Sequence, residues 1–262
     1  MTTRLGIDFG TTRTVVAAQE DGNHLVCTFS WEGEVKEYIP TLAAVKDRIL
    51  HFGWDAVDRL NQPDTYILRS MKRLAGQLRP DDLLELGPDF SITMLELVAL
   101  FLTHVRQMIF KHGNITLKKK EPIEVMVASP ANANSNQRFI TLEAFRRAGF
   151  AVLGAMNEPS AAAVEFLHRY LRNLGPRSPK RYVAVYDLGG GTFDTSVVGI
   201  AEQNHDVVAH EGIGKLGGDD FDEIILGLAL EQMGLGTENL TPSNAARLLE
   251  ECRERKEGLK SN

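Results

Sequence analysis

Two glycine-rich turns of one design, one near each end of the chain, constrain its fold more than any bulk property. The first is Gly6-Ile7-Asp8-Phe9-Gly10-Thr11-Thr12. The second is Tyr186-Asp187-Leu188-Gly189-Gly190-Gly191-Thr192-Phe193-Asp194. Each follows an apolar, β-branched run and precedes another, Val15-Val16-Ala17 in one case and Ser196-Val197-Val198 in the other, so each reads as strand, tight turn, strand. Glycine permits positive φ angles and close approach to the backbone, and successive N–H groups in such a turn form a nest for an anion. The threonine hydroxyls add donors. An aspartate at the end of the incoming strand suits a hydrated Mg2+, which binds few carboxylates and keeps most of its waters. Two such hairpins facing one cleft are expected to grip a nucleoside polyphosphate from both sides.

Bulk properties narrow the setting. At 262 residues the chain is long enough for one large domain or two ordinary ones, and 43% hydrophobic with 24% charged residues is a globular composition. A net charge of −6 argues against generic binding to nucleic acid or an anionic membrane. Lys118-Lys119-Lys120 reads as a solvated loop. Cys27 and Cys252 are far apart and form neither a disulfide framework nor a zinc spacing, and His24 with Cys27 lacks a second ligand pair. With no apolar stretch of membrane-spanning length and no signal pattern, a reducing cytoplasm is the expected compartment.

Residues from Arg4 to about Cys27 read as a strand meander around the first turn. Asp64 is expected to cap a helix through Tyr66, Ile67, Leu68 and Met71 to Leu74, closed by Gly76. Thr93-Met94-Leu95-Glu96 is a capping-box pattern ahead of an apolar helix that Gly113 ends. Ile123 to Ala128 reads as a strand, Ser135 as the cap of a helix running to Gly149, and Ala151-Val152-Leu153 as a short strand. The alanine-rich stretch after Glu158-Pro159 is helical, with proline in its first turn. A linker is expected at 173–179. The β pattern then restarts at Tyr182 to Asp187, Thr195 to Ile200 and Asp206 to His210, followed by helices from Asp219 to about Met233 and from Pro242 to about Leu259. Each half therefore opens with strands around an Asp-x-Gly turn and continues with helices, which is a duplication of architecture.

Other signals are ambiguous on their own. Gly212-Ile213-Gly214-Lys215-Leu216-Gly217 matches a dinucleotide fingerprint, but the acidic strand end it requires about twenty residues on is replaced by the loop Gly234 to Asn239. A turn that closes on a nucleotide suits Gly217 and Gly218 better. By local rules alone Lys72 is a surface lysine near a helix end, and Glu158 a first-turn acid.

Taken together, these segments resemble the nucleotide-binding domain of the heat-shock seventy-kilodalton (DnaK-like) chaperones, within the actin and sugar-kinase superfamily. Met71-Lys72-Arg73-Leu74, Asn157-Glu158-Pro159-Ser160-Ala161-Ala162-Ala163 and Leu216-Gly217-Gly218-Asp219-Asp220-Phe221-Asp222 join the two turns in carrying the likeness, in matching order over essentially the whole chain. The resemblance implies an α/β actin-like ATPase fold, two duplicated lobes around a cleft holding MgATP or MgADP. The first lobe would span 1–175, with core 1–39 and 113–175 and outer part 40–112. The second would span 176–262, with core 176–217 and outer part 218–262. Asp8 and Asp187 would hold Mg2+ through its waters, and Asp194 would order a monovalent cation such as K+. Gly10, Thr11, Thr12, Gly189, Gly190, Gly191 and Thr192 would cradle phosphates. Lys72 would orient the attacking water, Glu158 would touch the Mg2+ hydration shell, and Gly217, Gly218 and Lys256 would close on the nucleotide. Pro130 and Arg138 match a switch reporting nucleotide state. The implied function is ATP binding and hydrolysis in a chaperone, with peptide clients, a J-domain co-chaperone and a nucleotide exchange factor as partners of the whole protein.

The chain departs from this pattern in several places. The segment joining the first meander to Ile123 is short, Arg13 follows the threonines where other residues are usual, and Arg253 and Lys260 replace an acidic and a small hydroxyl residue near Lys256. The chain also stops at Asn262, before the family's closing strands, so a partial second lobe with open edges, prone to self-association, is expected. The rival readings are a nucleotide-binding remnant that does not hydrolyse, an actin-like filament protein, and a small-molecule kinase.

Overall fold

The computed structural model of the chain describes residues 4–20, 23–117, 121–170, 182–200 and 206–259, so the basic run at 118–120, the linker at 173–179 and Lys260 lie outside the described residues. β1 (Arg4–Phe9), β2 (Arg13–Glu20) and β3 (Asn23–Val26) form the expected antiparallel meander. Side chains of β1 alternate, so Leu5, Ile7 and Phe9 enter the core while Asp8 stays on the open side. A small hairpin follows, β4 (Phe29–Trp31) with β5 (Glu34–Lys36), and β6 (Ile39–Pro40) adds to β2.

The outer part of this half is built from short pieces. β7 (Ala43–Lys46) and β8 (Ile49–Phe52) form a hairpin leading to α1 (Trp54–Val57), and β9 (Tyr66–Leu68) returns to pair antiparallel with β7. This corrects the helix expected from Asp64. Tyr66, Ile67 and Leu68 are strand, Asp64 has φ +55°, and only α2 (Met71–Ala75) is helical, entered through left-handed Ser70 and ended at Gly76. Apolar residues at 67, 68, 71 and 74 satisfy a helical period. The open ladder edge of Ala43-Ala44-Val45 captures the first two of them instead, a partner that local spacing does not register.

β10 (Leu83–Glu85) and β11 (Ser91–Thr93) lead into α3 (Met94–His112). Thr93 caps it as expected, its hydroxyl accepting from the Glu96 N–H at 3.2 Å, and Gly113 ends it. β12 (Glu124–Ser129), α4 (Ser135–Arg147), β13 (Ala151–Asn157) and α5 (Glu158–Tyr170) complete the first half. The cap of α4 is Asn134 rather than Ser135, its Oδ1 accepting from the Gln137 N–H at 2.8 Å. β12 and β13 join β1 in parallel, giving the order β13–β12–β1–β2–β3. α3 seals this sheet, with the Phe101 ring 5.7 Å from Phe9. Phe9, Phe29, Phe101 and Phe145 are all fully buried, contributing about 1.5–3 kcal/mol each.

β14 (Tyr182–Leu188), β15 (Phe193–Gly199) and β16 (Val207–Ile213) repeat the antiparallel meander. The two turns close identically: Gly10 N–H donates to Arg13 O at 3.1 Å, and Gly189 N–H to Thr192 O at 2.9 Å. α6 (Gly218–Gln232) and α7 (Pro242–Glu257) pack together around Leu226, Leu230 and Cys252, a far smaller core than that of the first half. Tyr182, Tyr186, Leu188 and Ile213 remain exposed on the β14–β16 sheet. Among the described residues no helix is long and apolar enough to cross a membrane.

Candidate functional site

The tips of the two hairpins meet face to face. A Cβ placed on Gly190 would lie 2.5 Å from Thr12 Cγ2, and one on Gly191 would lie 3.2 Å from Thr11 Cγ2. Any larger residue would push the two tips apart, so glycine here sets the width of the cleft. Gly217 seats α6 on the second tip. Its own Cβ would fall 2.6 Å from Gly190 O, while the N–H groups of Gly218 and Asp219 donate to Gly189 O (3.0 Å) and Gly190 O (2.7 Å). Gly217 and Gly218 thus rest on the tip of the second hairpin itself. Gly212 and Ile213, the start of the apparent dinucleotide fingerprint, are the end of β16.

Between the tips lies a cleft of about 200 Å³ whose wall includes Asp8, Thr11, Lys72, Glu158, Asp187 and Thr192. α2 and the first turn of α5 project their charged side chains into it from opposite sides. Lys72 Nζ lies 2.5 Å from Glu158 Oε1 and 3.8 Å from Asp8 Oδ1. Burial is the largest single effect on Lys72 and pulls its pKa down, but Glu158, Asp8 and Asp187 together outweigh it, and the ammonium is held charged above its usual range. Burial pushes Glu158 up against the opposing pull of Lys72, with Asp8 and Asp187 adding to the rise. Asp187 is raised by partial burial and then by the charges of Asp8 and Asp194.

Asp194 stands opposite Asp187 in the β14–β15 register, and its Oδ2 accepts from the Thr192 hydroxyl at 2.8 Å. Its buried Oδ1 has no hydrogen-bond partner among the described residues and lies 3.4 Å from His210 Nε2. Three carboxylates around one lysine, with the Asp194 carboxylate beside Asp187, leave an excess of negative charge that a cation fits. Among the described residues no three His, Cys, Asp or Glu side chains converge to ligate a metal directly. Carboxylates spaced around a cleft suit an ion held through its waters, and Mg2+ is such an ion. Pro130 lines the same cleft. Arg138 pins the loop beyond it by donating to Ala133 O (3.1 Å) and Ala131 O (3.3 Å).

A second cavity of about 580 Å³ opens on the α6–α7 side, lined by Phe221, Arg253, Lys256 and Glu257 among others. Lys256 Nζ is 2.7 Å from Asp222 Oδ1 and donates to Gly218 O at 2.6 Å, while Arg253 pairs with Glu250. The halves are joined beside this cavity by a cluster the sequence reading missed. Arg69 reaches Asp222 (2.8 Å), Asp219 (3.2 Å) and Glu250 (3.6 Å), Ser70 donates to Asp219, and Arg73 binds Asp220 at 3.1 Å. Burial pushes Glu250 up despite the Arg253 and Arg69 charges. The run Gly-Gly-Asp-Asp-Phe-Asp marked the acidic side, but nothing around Arg69 marked the other.

The structure brings Asp8, Lys72, Glu158, Asp187, Thr192 and residues of both hairpin tips into one cleft, while Gly218 and Lys256 line the second cavity and Gly217 packs on Gly190. A two-lobed α/β domain with a glycine-rich hairpin tip on each side of a central cleft is of the actin-like nucleotide-binding type. The chain belongs to the Hsp70 family: the family model described as Hsp70 protein matches residues 86–262. It is 33% identical over 224 residues to the chaperone protein DnaK of Mycoplasmoides gallisepticum, covering 85% of this chain and 35% of that protein. It is 30% identical over 243 residues to the chaperone protein HscA of Serratia proteamaculans, covering 88% and 38%. For DnaK of Mycoplasmopsis pulmonis the figures are 34% over 223 residues, covering 85% and 34%. The chain thus spans roughly a third of the length of these relatives and corresponds to the nucleotide-binding domain of a DnaK-like chaperone.

Proposed function

We propose that the cleft binds MgATP and MgADP and transfers the terminal phosphoryl group of ATP to water. The observation that carries this reading is Lys72, held by Glu158 and Asp8 between two facing anion nests. The backbone N–H groups of Gly190 and Gly191 and the hydroxyls of Thr11 and Thr12 receive the phosphate oxygens, while the Gly10 and Gly189 N–H groups close the two turns and Thr192, its hydroxyl donated to Asp194, lines the cleft beside them. Lys72 positions the attacking water and offsets developing charge. Asp8, Asp187 and Glu158 accept hydrogen bonds from a hydrated Mg2+, which when bound neutralises phosphate charge, and Asp194 orders a cation such as K+ while fixing the Thr192 hydroxyl. Catalysis of this kind is mostly positioning and electrostatics.

In this reading the first lobe comprises 1–175 and the second 176–262, a division supported by the separate β13–β3 and β14–β16 sheets. Likeness to DnaK further supports a cytoplasmic chaperone cycle with slow intrinsic turnover, in which nucleotide state governs peptide clients with the help of a J-domain partner and an exchange factor. Binding without hydrolysis is the second reading, favoured by the engagement of Lys256 with Asp222 and of Arg253 with Glu250. Calorimetry with MgADP and MgATP, with magnesium-free controls, followed by single-turnover hydrolysis separates the two. Magnesium-dependent binding with phosphate release is expected. Binding without release selects the second reading, and no binding by folded protein rejects both.

A further inference from the structure

Arg13 follows the first nest directly, and its side chain crosses to the other half of the molecule. Arg13 Nη2 lies 2.5 Å from Glu257 Oε2 on α7, and the guanidinium carbon stands 4.6 Å from the centroid of the Tyr38 ring. Both partners of the ion pair are almost half exposed, at 45% and 43%. A bridge so open to water contributes little as a fastener and is readily exchanged.

Its position gives that exchange a consequence. The phosphate-side cleft and the larger α6–α7 cavity share four wall residues, Thr12, Arg13, Gly189 and Gly190, and Arg13 is the charged one. A nucleotide with its terminal phosphates in the nests and its nucleoside on the α7 side runs its phosphoanhydride chain past this wall. A guanidinium presents parallel in-plane N–H donors that match phosphate oxygens, and stacking on Tyr38 uses its face while leaving those donors available. Lys256, next to Glu257, is engaged with Asp222 and Gly218 O, so Arg13 is the cation to which Glu257 is tied.

We propose that Arg13 is a phosphate-binding residue with Glu257 as its resting partner. The α- and β-phosphates of a bound nucleotide take over the guanidinium and release Glu257, so polyphosphate occupancy unlatches the first hairpin from the last helix. This rests on the reading of the cleft as a nucleotide site. The carboxylate of Glu257 competes with phosphate for one cation, and the two residues therefore act on affinity in opposite directions.

The test is calorimetric titration of MgADP into the full chain, Arg13→Ala, Glu257→Gln and the double variant. Arg13→Ala is expected to weaken binding about fivefold to thirtyfold, the loss of a charge-assisted hydrogen bond. Glu257→Gln is expected to tighten binding about twofold to fivefold, the release of an exposed ion pair, and to have no effect once Arg13 is alanine. If both single variants weaken MgADP, the bridge is a structural fastener and the proposal fails while the nucleotide site stands. Unchanged affinity in either single variant also overturns it. A folded wild-type chain that does not bind MgADP removes the nucleotide site itself, and the latch with it.

Discussion

Lys72 Nζ lies 2.5 Å from Glu158 Oε1, a contact that joins the five-residue α2 to the first turn of α5 across the floor of the cleft. Asp8 and Asp187 also act on Lys72, so three carboxylates hold this ammonium in its charged form. Its removal is expected to leave MgADP affinity within about threefold but to slow single-turnover hydrolysis by about 10²- to 10⁴-fold, the range for a positioned group acting on the attacking water. Wild-type turnover in Lys72→Ala would reject the assignment.

Asp187 ionises at higher pH in the folded chain than in the unfolded one, because of burial and the nearby charges of Asp8 and Asp194. Within that window the folded state binds more protons, so its contribution to stability declines as pH rises from the ordinary aspartate range through the raised value. Asp187→Asn removes this cost. The expected result is a melting temperature about 1–3 °C higher at pH 7.5 in nucleotide-free protein, a small gain because the group still meets solvent, with the difference vanishing near pH 4. The same variant is expected to lose the magnesium dependence of ADP binding. A lower melting temperature at pH 7.5, measured by scanning fluorimetry, contradicts the account.

Gly217 touches the second nest through backbone alone, its missing Cβ falling 2.6 Å from Gly190 O and 2.7 Å from the carbonyl carbons of Gly190 and Gly191. Gly217→Ala must lift α6 off the loop, breaking the Gly218 and Asp219 hydrogen bonds to it. A loss of about 2–3 kcal/mol in urea unfolding is expected, together with weakened MgADP binding. Gly214→Ala is the control, since a Cβ there meets nothing within 4 Å. Equal stability of the two variants would count against the docking role.

His104 on α3 is packed against Phe52, and its Nε2 is buried without a hydrogen-bond partner among the described residues. Burial lowers its pKa from 6.5 to about 4. The imidazole is therefore neutral when folded and takes up a proton more readily when unfolded. The stability it confers is complete above pH 6.5 and is lost as pH falls towards 4, by up to about 3 kcal/mol. His104→Gln is expected to flatten the acid limb of the stability profile between those values. An unchanged limb in denaturant titrations at pH 4.5 and 7 would show that other groups govern it.

Much of the site was legible because its parts are local. Asp8 and Asp187 stand two residues before their glycines, and the threonines follow at once. Lys72 and Glu158 were different: local rules made them a surface lysine and a first-turn acid, and only the match of Met71-Lys72-Arg73-Leu74 and Asn157-Glu158-Pro159 to a family pattern placed them in the cleft. Arg69 had no such signal. Its partners Asp219, Asp222 and Glu250 lie 150 or more residues away and are recognisable as partners only once α6 and α7 are seated beside it.

By itself the sequence determined the features that short stretches of chain settle on their own. Both hairpin turns close through a glycine N–H and a carbonyl three residues on, and Thr93 and Thr241 start their helices by accepting from an N–H three residues ahead. Tertiary structure alone decided that Tyr66–Leu68 is a strand, that Gly217 rests on Gly190, and that Arg13 meets Glu257. Each of these depends on a partner remote in sequence. Backbone groups and charges seek whichever partner the folded chain brings within reach, and that choice is made by packing of the lobes and not by local propensity.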